Sequence, residues 1–435
     1  MAEWVPAIIC FGLLFTLLAL GERIALSMAI AGIVVLYLHS GTRLFGDISA
    51  TAWQSFNSFT LTAIPLFLLA GQLAVHSGIS ERVFDALASW IYRLPGGLLL
   101  ANIAFCTGFA AVSGSSMAST ATIGRIAIGS QYARGYDLGD ICGTVCGGGA
   151  LGILIPPSIL MIVYGDMVNA HIGSLFMAGV LPGLMVSGMF MLFIVAKALI
   201  KGDTPLAQAG IYTWRDRISG LFTTLIPAGC LVVVVLGGIY TGTFTPTEAG
   251  AVSVIGMFCF VIVYGKFSWK LLLNCLSETV LDVSKLLFIM LGTFILSFGL
   301  SRQRIPQMIA EIVVSMGASQ TQVIMMLIVM YLVLGCLMEG FAIMLLTLPV
   351  IYPVLFSLDV NLVWFGILIT LLMETSMLTP PIGINLFLVK GIAEASGIDA
   401  PIQKIIMGSL PFTVILIIGI GLVLAFPQIA LFLVT

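Results

Sequence analysis

Apolar residues in this chain gather into long continuous blocks instead of alternating with polar ones. A helix needs about 20 apolar residues to cross a bilayer core. Blocks of that order run over 4–20, 24–40, 60–77, 174–198, 219–240, 246–265, 279–300 and 404–433. Two blocks, 138–170 and 361–395, would each reach roughly 50 Å as one helix, against a core of about 30 Å. Each holds a Pro-Pro near its middle, Pro156-Pro157 and Pro380-Pro381. Proline lacks a backbone N–H and clashes with the preceding turn, so both blocks are expected to be broken spans of two half-helices. Two further stretches have short arms. Residues 97–112 and 117–130 flank Ser113-Gly114-Ser115-Ser116, and 321–336 and 341–357 flank Leu337-Met338-Glu339-Gly340. Such arms reach only about 21–26 Å, which predicts re-entrant hairpins. Irregular backbone of this kind survives at membrane depth only inside protein or beside a water-filled cavity. Segments 45–58, 80–93 and 302–316 are expected to lie along the interface as struts.

Composition supports a membrane reading. Of 435 residues, 8% are charged and 60% are hydrophobic, whereas a soluble domain carries about 25% charge. Too little polar surface remains for a water-soluble fold, and disorder requires the opposite composition. A membrane barrel would alternate polar and apolar residues along short strands. The fold class is therefore an all-α polytopic membrane protein. The net charge of −2 gives no footing for nucleic acid. Cys142 and Cys146 stand i,i+4, but no third ligand completes a metal set, and the eight cysteines read as helix packing. No Lys or Arg precedes the first apolar run, so it is expected to be a retained span and not a signal peptide. His39, His76 and His171 lie at span ends and suggest no chemistry.

Ten spans threaded from a periplasmic N-terminus, with both hairpins returning, place thirteen of the seventeen Lys and Arg residues on the cytoplasmic side. Arg43, Arg302 and Arg304 fall outside, and Lys285 falls within a span. This is the positive-inside bias, and it puts both termini in the periplasm. One hairpin then opens to the cytoplasm and the other to the outside.

The two halves echo each other. Pro156 and Pro380 are 224 residues apart, Gly114 and Gly340 are 226 apart, and so are Glu22 and Glu248. Pro182 and Pro411 are 229 apart. Each half holds five spans and a hairpin. Five is odd, so the second half is expected to be inverted relative to the first. Residues 1–198 form one repeat, 199–217 a polar cytoplasmic linker and 218–435 the other. Inverted repeats with broken helices near the midplane are the plan of secondary transporters.

The special positions suggest what is carried. Ser113, Ser115 and Ser116 at the first tip offer hydroxyls, and the adjacent helix N-terminus offers unpaired N–H groups. The first suits Na⁺ and the second a carboxylate; close packing of small residues accounts for the motif equally well by itself, and the inverted partner and Pro-Pro break favour an ion or substrate site. Proline also frees a carbonyl at each break for a cation. Ser158 and Asn385 follow the two breaks, where they are placed to face a bound anion. Glu339 and Glu374 are acidic groups at depth, candidates for a role in coupling. Glu248 follows Thr245 and Thr247 as a helix-start residue, and Asp282 and Lys285 read as a local i,i+3 pair.

In these same segments the sequence resembles the large membrane subunit of tripartite ATP-independent periplasmic (TRAP) transporters, the DctM type. The matching pieces are SGSSMASTATIG (113–124), RGYD (134–137), GILIPPSILMIVYG (152–165), LFMAGVLPG (175–183), TPTEAGAVSV (245–254), GCLMEGFAIMLLTLP (335–349) and TPPIGINLF (379–387). Met117 departs from the proline that many members carry after the serines, and no proline closes the segment before RGYD. The resemblance implies import of an organic acid, such as a C4-dicarboxylate or sialic acid, across the bacterial inner membrane. It implies a Na⁺ gradient and an elevator motion of the hairpin-bearing part. It also implies two partners, a small four-helix membrane subunit and a periplasmic substrate-binding protein. Carried over by motif, one Na⁺ site uses Ser113, Ser116, Gly152 and Pro156, and the other Gly335, Met338, Ser376, Thr379 and Gly383. Substrate contacts are expected from Ser115, Ser158 and Asn385. A stand-alone dicarboxylate symporter of similar plan, a channel and an intramembrane serine hydrolase are the competing readings. The hydrolase lacks a mid-span histidine to act as base.

Overall fold

A computed structural model describes residues 4–41, 44–201 and 212–434. Arg43 and the linker residues 202–211, both used in the sequence reading, lie outside the described residues. Those described are overwhelmingly helical, and none is in a strand.

In the first half the helices are α1 (Val5–Ala19), α2 (Ile24–Ser40), α3 (Leu44–Phe56), α4 (Ala63–His76), α5 (Ile79–Ile91), α6 (Leu98–Ser113), α7 (Ser116–Ala133), α8 (Leu138–Gly149), α9 (Ile159–Val168) and α10 (Ile172–Lys201). The second half has α11 (Trp214–Gly220), which continues through a π turn into α12 (Ile226–Tyr240), then α13 (Pro246–Val263) and α14 (Trp269–Arg302). After these come α15 (Ile305–Ser315), α16 (Gln320–Gly335), α17 (Gly340–Ser357), α18 (Leu362–Leu378), α19 (Ile384–Ala395), α20 (Ile402–Ala425) and α21 (Gln428–Leu431). Among the described residues, six helices are long and apolar enough to cross a membrane, or seven if α4 and α5, bent by 69°, count as one span.

Both Pro-Pro blocks are broken where expected, between α8 and α9 and between α18 and α19, and both Pro-Pro bonds are cis. Both hairpin tips fall between separate helices. Length alone does not make α17 re-entrant, because its 18 residues suffice for a span. The final block is not one rod either: α20 stops at Ala425, ahead of Pro427. Conversely α14 is longer than its apolar block. It is capped by the Ser268 hydroxyl on the Leu271 N–H and runs 34 residues, about 50 Å.

The centre of the molecule is built on small residues. A Cβ at Gly143 of α8 would sit 2.1 Å from the Gly408 carbonyl oxygen of α20, and one at Gly408 would meet the Gly139 oxygen at 2.0 Å. The two backbones therefore touch, which is how membrane helices gain packing without a solvent-driven hydrophobic term. The same device joins α14 to α2, where a Cβ at Gly292 would be 2.3 Å from the Ala25 oxygen. Every residue of α18 from Trp364 to Leu378 is buried. These two inner half-helices, α8 and α18, lead into the two breaks.

Candidate functional site: two tips, two breaks and a cavity

The first tip turns because Gly114 adopts φ +58°, ending α6, while Ser115 is extended and its hydroxyl accepts the Ala118 N–H to cap α7. A Cβ on Gly114 would lie 2.8 Å from the Pro157 carbonyl oxygen. The tip is thus seated against the first break. A Cβ on Gly152 would be 2.6 Å from the Ser115 oxygen and 2.7 Å from Ser116 Cα. The Ser116 hydroxyl donates to the Gly149 carbonyl at 3.0 Å. Of the four residues expected at the first cation site, Ser116 and Gly152 are brought together directly. Ser113 pairs its hydroxyl with Ser119 at 3.0 Å, and Pro156 borders Gly179 of α10.

The second tip meets the end of α18. A Cβ on Gly335 would be 2.5 Å from Ser376 Cβ, and one on Gly340 would be 3.1 Å from Ser376 Oγ. Ser376 and Thr379 donate their hydroxyls to the Met373 and Thr375 carbonyls at 2.6 and 2.7 Å. A hydroxyl that donates this way keeps lone pairs for a cation. Gly383 has φ +39°, and a Cβ there would meet the Thr379 oxygen at 3.2 Å. Met338 is half-buried on the tip itself.

Contacts between the halves tie the first tip to the second break. Asn385 donates from Nδ2 to Ser116 Oγ at 3.1 Å, and Cys146 donates its thiol to the Asn385 carbonyl at 3.7 Å. The Glu374 carboxylate accepts the Ile153 N–H at 2.9 Å. Both Glu374 and Asn385 are 0% exposed. Three buried oxygens here have no hydrogen-bond partner: Thr120 Oγ1, Glu374 Oε2 and Asn385 Oδ1. Thr120 packs on Gly149, where a Cβ would lie 1.8 Å from its hydroxyl. Buried polar atoms are normally satisfied. Unpaired hard oxygens are the kind of group that an alkali cation binds, and one of the three residues, Asn385, contacts Ser116. Sequence reading named Ser116 but did not place Glu374 in the same cluster.

A cavity of about 550 Å³ opens onto the first tip. Its lining includes Ser115 and Ser116, Gln72 and His76 of α4, Arg125 of α7 and Glu278, Asp282 and Lys285 of α14. Glu339 of the second tip also reaches it. His76 faces Glu278 at 3.3 Å and Lys285 pairs with Asp282 at 3.1 Å. Ser115 is among the residues that line this cavity. Ser158, whose hydroxyl caps α9 on the Met161 N–H, and Asn385 are buried and are not part of the lining.

Tips lodged against helix breaks beside a cavity that carries several charged side chains, in a protein of apolar helices, define a multi-pass membrane protein of the transporter class. The chain belongs to the family described as "Tripartite ATP-independent periplasmic transporter, DctM component", whose model matches residues 11–429. It is 32% identical to the C4-dicarboxylate TRAP transporter large permease protein DctM of Vibrio cholerae, over 98% of this chain and 96% of that one. It is 30% identical to the sialic acid TRAP transporter large permease protein SiaM of the same species, over 97% and 96%. Its fold resembles that of the Alcanivorax borkumensis YdaH transporter, with a TM-score of 0.61, 16% identity and 88% of each chain covered. The family is one of transporter permeases, not of enzymes.

Proposed function

We propose that this chain is the transport subunit of a Na⁺-coupled system that imports an organic acid across the bacterial inner membrane. It works with a small four-helix membrane subunit and with a periplasmic binding protein that delivers the acid. The organic-acid class rests on the relatives, named for C4-dicarboxylate and for sialic acid. Na⁺ coupling is supported above all by the unpartnered buried oxygens of Thr120, Glu374 and Asn385, the last on a side chain that contacts the Ser116 hydroxyl. The ion supplies positive charge next to the α7 N-terminus, where a carboxylate is also favoured. In this reading residues 1–198 and 218–435 are inverted repeats. Their hairpins and breaks move together as an elevator against the remaining helices, in a chain with both termini in the periplasm.

Uptake into proteoliposomes holding all three components tests this reading. Transport is expected to require a Na⁺ gradient and to persist when the proton gradient is collapsed. Uptake that ignores Na⁺ and follows pH overturns the assignment.

A further inference from the structure

Away from the cavity, two cations meet at one tyrosine. Arg93 follows α5, and Arg217 lies in α11. Arg93 donates from Nε to the Tyr92 phenol oxygen at 2.9 Å, and Arg217 donates from Nη2 to the same oxygen at 3.2 Å. Both guanidinium carbons lie over the Tyr92 ring, at 5.5 and 5.4 Å from its centroid. Arg217 also stacks near Trp214 at 5.8 Å, and its Nε is buried without a partner.

The acidic groups nearby are otherwise engaged. Asp216 accepts the Thr213 N–H and hydroxyl, each at 2.7 Å, in a helix cap. Asp85 lies within electrostatic reach of Arg134. No carboxylate among the described residues forms an ion pair with Arg93 or Arg217. Two guanidiniums sharing one neutral oxygen repel each other unless an anion joins them. Their planar forks match phosphate oxygens in geometry and charge.

The surroundings are those of a membrane surface. Trp90 and Trp214 pack edge to face at 5.9 Å, and Tyr92 and Tyr212 at 5.4 Å. Trp214 opens a helix long enough to span, and Trp and Tyr gather at headgroup level. Leu94 and Ile218 are exposed beside the cations and offer apolar surface to acyl chains. A basic pocket between helices at this level is suited to an acidic headgroup.

We propose that Arg93 and Arg217, converging on Tyr92 between α5 and α11, bind the phosphate of an anionic phospholipid headgroup. The site does not depend on what the protein transports. The test uses the full chain, purified in detergent and stripped of lipid. Bound lipid is counted by native mass spectrometry, and thermal midpoints are measured with phosphatidylglycerol, phosphatidylcholine or inorganic phosphate added. Phosphatidylglycerol is expected to be retained and to raise the midpoint, while the other two are not. Arg93→Gln and Arg217→Gln are each expected to weaken phosphatidylglycerol binding about tenfold, the worth of roughly one charge-assisted contact. Lys390→Gln, a charge loss elsewhere, leaves it unchanged. If half-buried Arg217 cannot be replaced without misfolding, exposed Arg93 still carries the test. Unchanged binding in Arg93→Gln, equal binding of phosphatidylcholine, or an equal effect of inorganic phosphate overturns the proposal.

Discussion

Glu374 and Ile153 lie in opposite halves of the chain, yet the Glu374 carboxylate accepts the Ile153 N–H at 2.9 Å. A side chain of α18 thereby satisfies backbone that the first break leaves open. Glu374→Ala removes the acceptor and leaves a buried donor, at a cost of about 1–3 kcal/mol plus the cavity created. Glu374→Gln keeps an acceptor oxygen and loses less. Thermal unfolding of both variants in detergent checks this; equal losses would show that the hydrogen bond is not what the residue contributes.

Ser116 and Thr379 test the cation sites from opposite ends. Each hydroxyl donates to a helix carbonyl and retains lone pairs. Ser116→Ala and Thr379→Ala are each expected to weaken the apparent Na⁺ affinity of uptake roughly tenfold, corresponding to about 1.4 kcal/mol per lost ligand. Na⁺ titrations of transport in folded variants read this out. Unchanged affinity in both variants refutes the proposed ligand set.

Gly143 and Gly188 are both helical glycines with opposite forecasts. At Gly143 a Cβ strikes the Gly408 backbone at 2.1 Å, and neither helix can give way locally. Gly143→Ala is expected to destabilise by about 1–3 kcal/mol or more through overpacking. At Gly188 nothing lies within 4 Å, so Gly188→Ala is expected to be neutral or to stabilise by about 0.4–1 kcal/mol. Thermal midpoints of the two variants, measured side by side, decide this.

Asp137 gives a pH dependence with a definite sign. Its carboxylate accepts the Gly139 N–H at 2.8 Å to cap α8 and pairs with Lys404 at 3.1 Å. Partial burial pushes its pKa up, but the Lys404 contact and the backbone N–H groups outweigh this and hold it below the ordinary 3.8. The stabilisation is therefore complete above the unfolded value and is lost as pH falls through the lower folded value. Asp137→Asn is expected to lower the thermal midpoint at pH 7, and its deficit relative to wild type is expected to shrink below pH 3.8. A deficit that does not change with pH would show that the charge contributes nothing.

The local features were legible in the sequence because each has a local cause. Proline cannot continue a helix, so both breaks were readable at Pro156-Pro157 and Pro380-Pro381. Gly114 and Gly383, with positive φ, stand where a tip and a break had been expected. Helix ends read from apolar runs alone were less faithful. The count placed the start of a span at 279, but α14 begins at Trp269 because a Ser268 cap and polar residues such as Lys270 and Glu278 extend it past the apolar stretch. The end of α20 at Ala425 was missed because Phe426-Pro427 is surrounded by apolar residues.

Chain order alone thus determined the membrane class, the breaks and the tips, since hydrophobicity and backbone restrictions act on neighbours in sequence. Only tertiary structure decided which groups complete the polar centre. Asn385 reaches Ser116 across 269 positions, and Glu374 reaches Ile153 across 221. Those partners are chosen by how the two halves of the chain pack, and spacing along the chain carries no record of that packing.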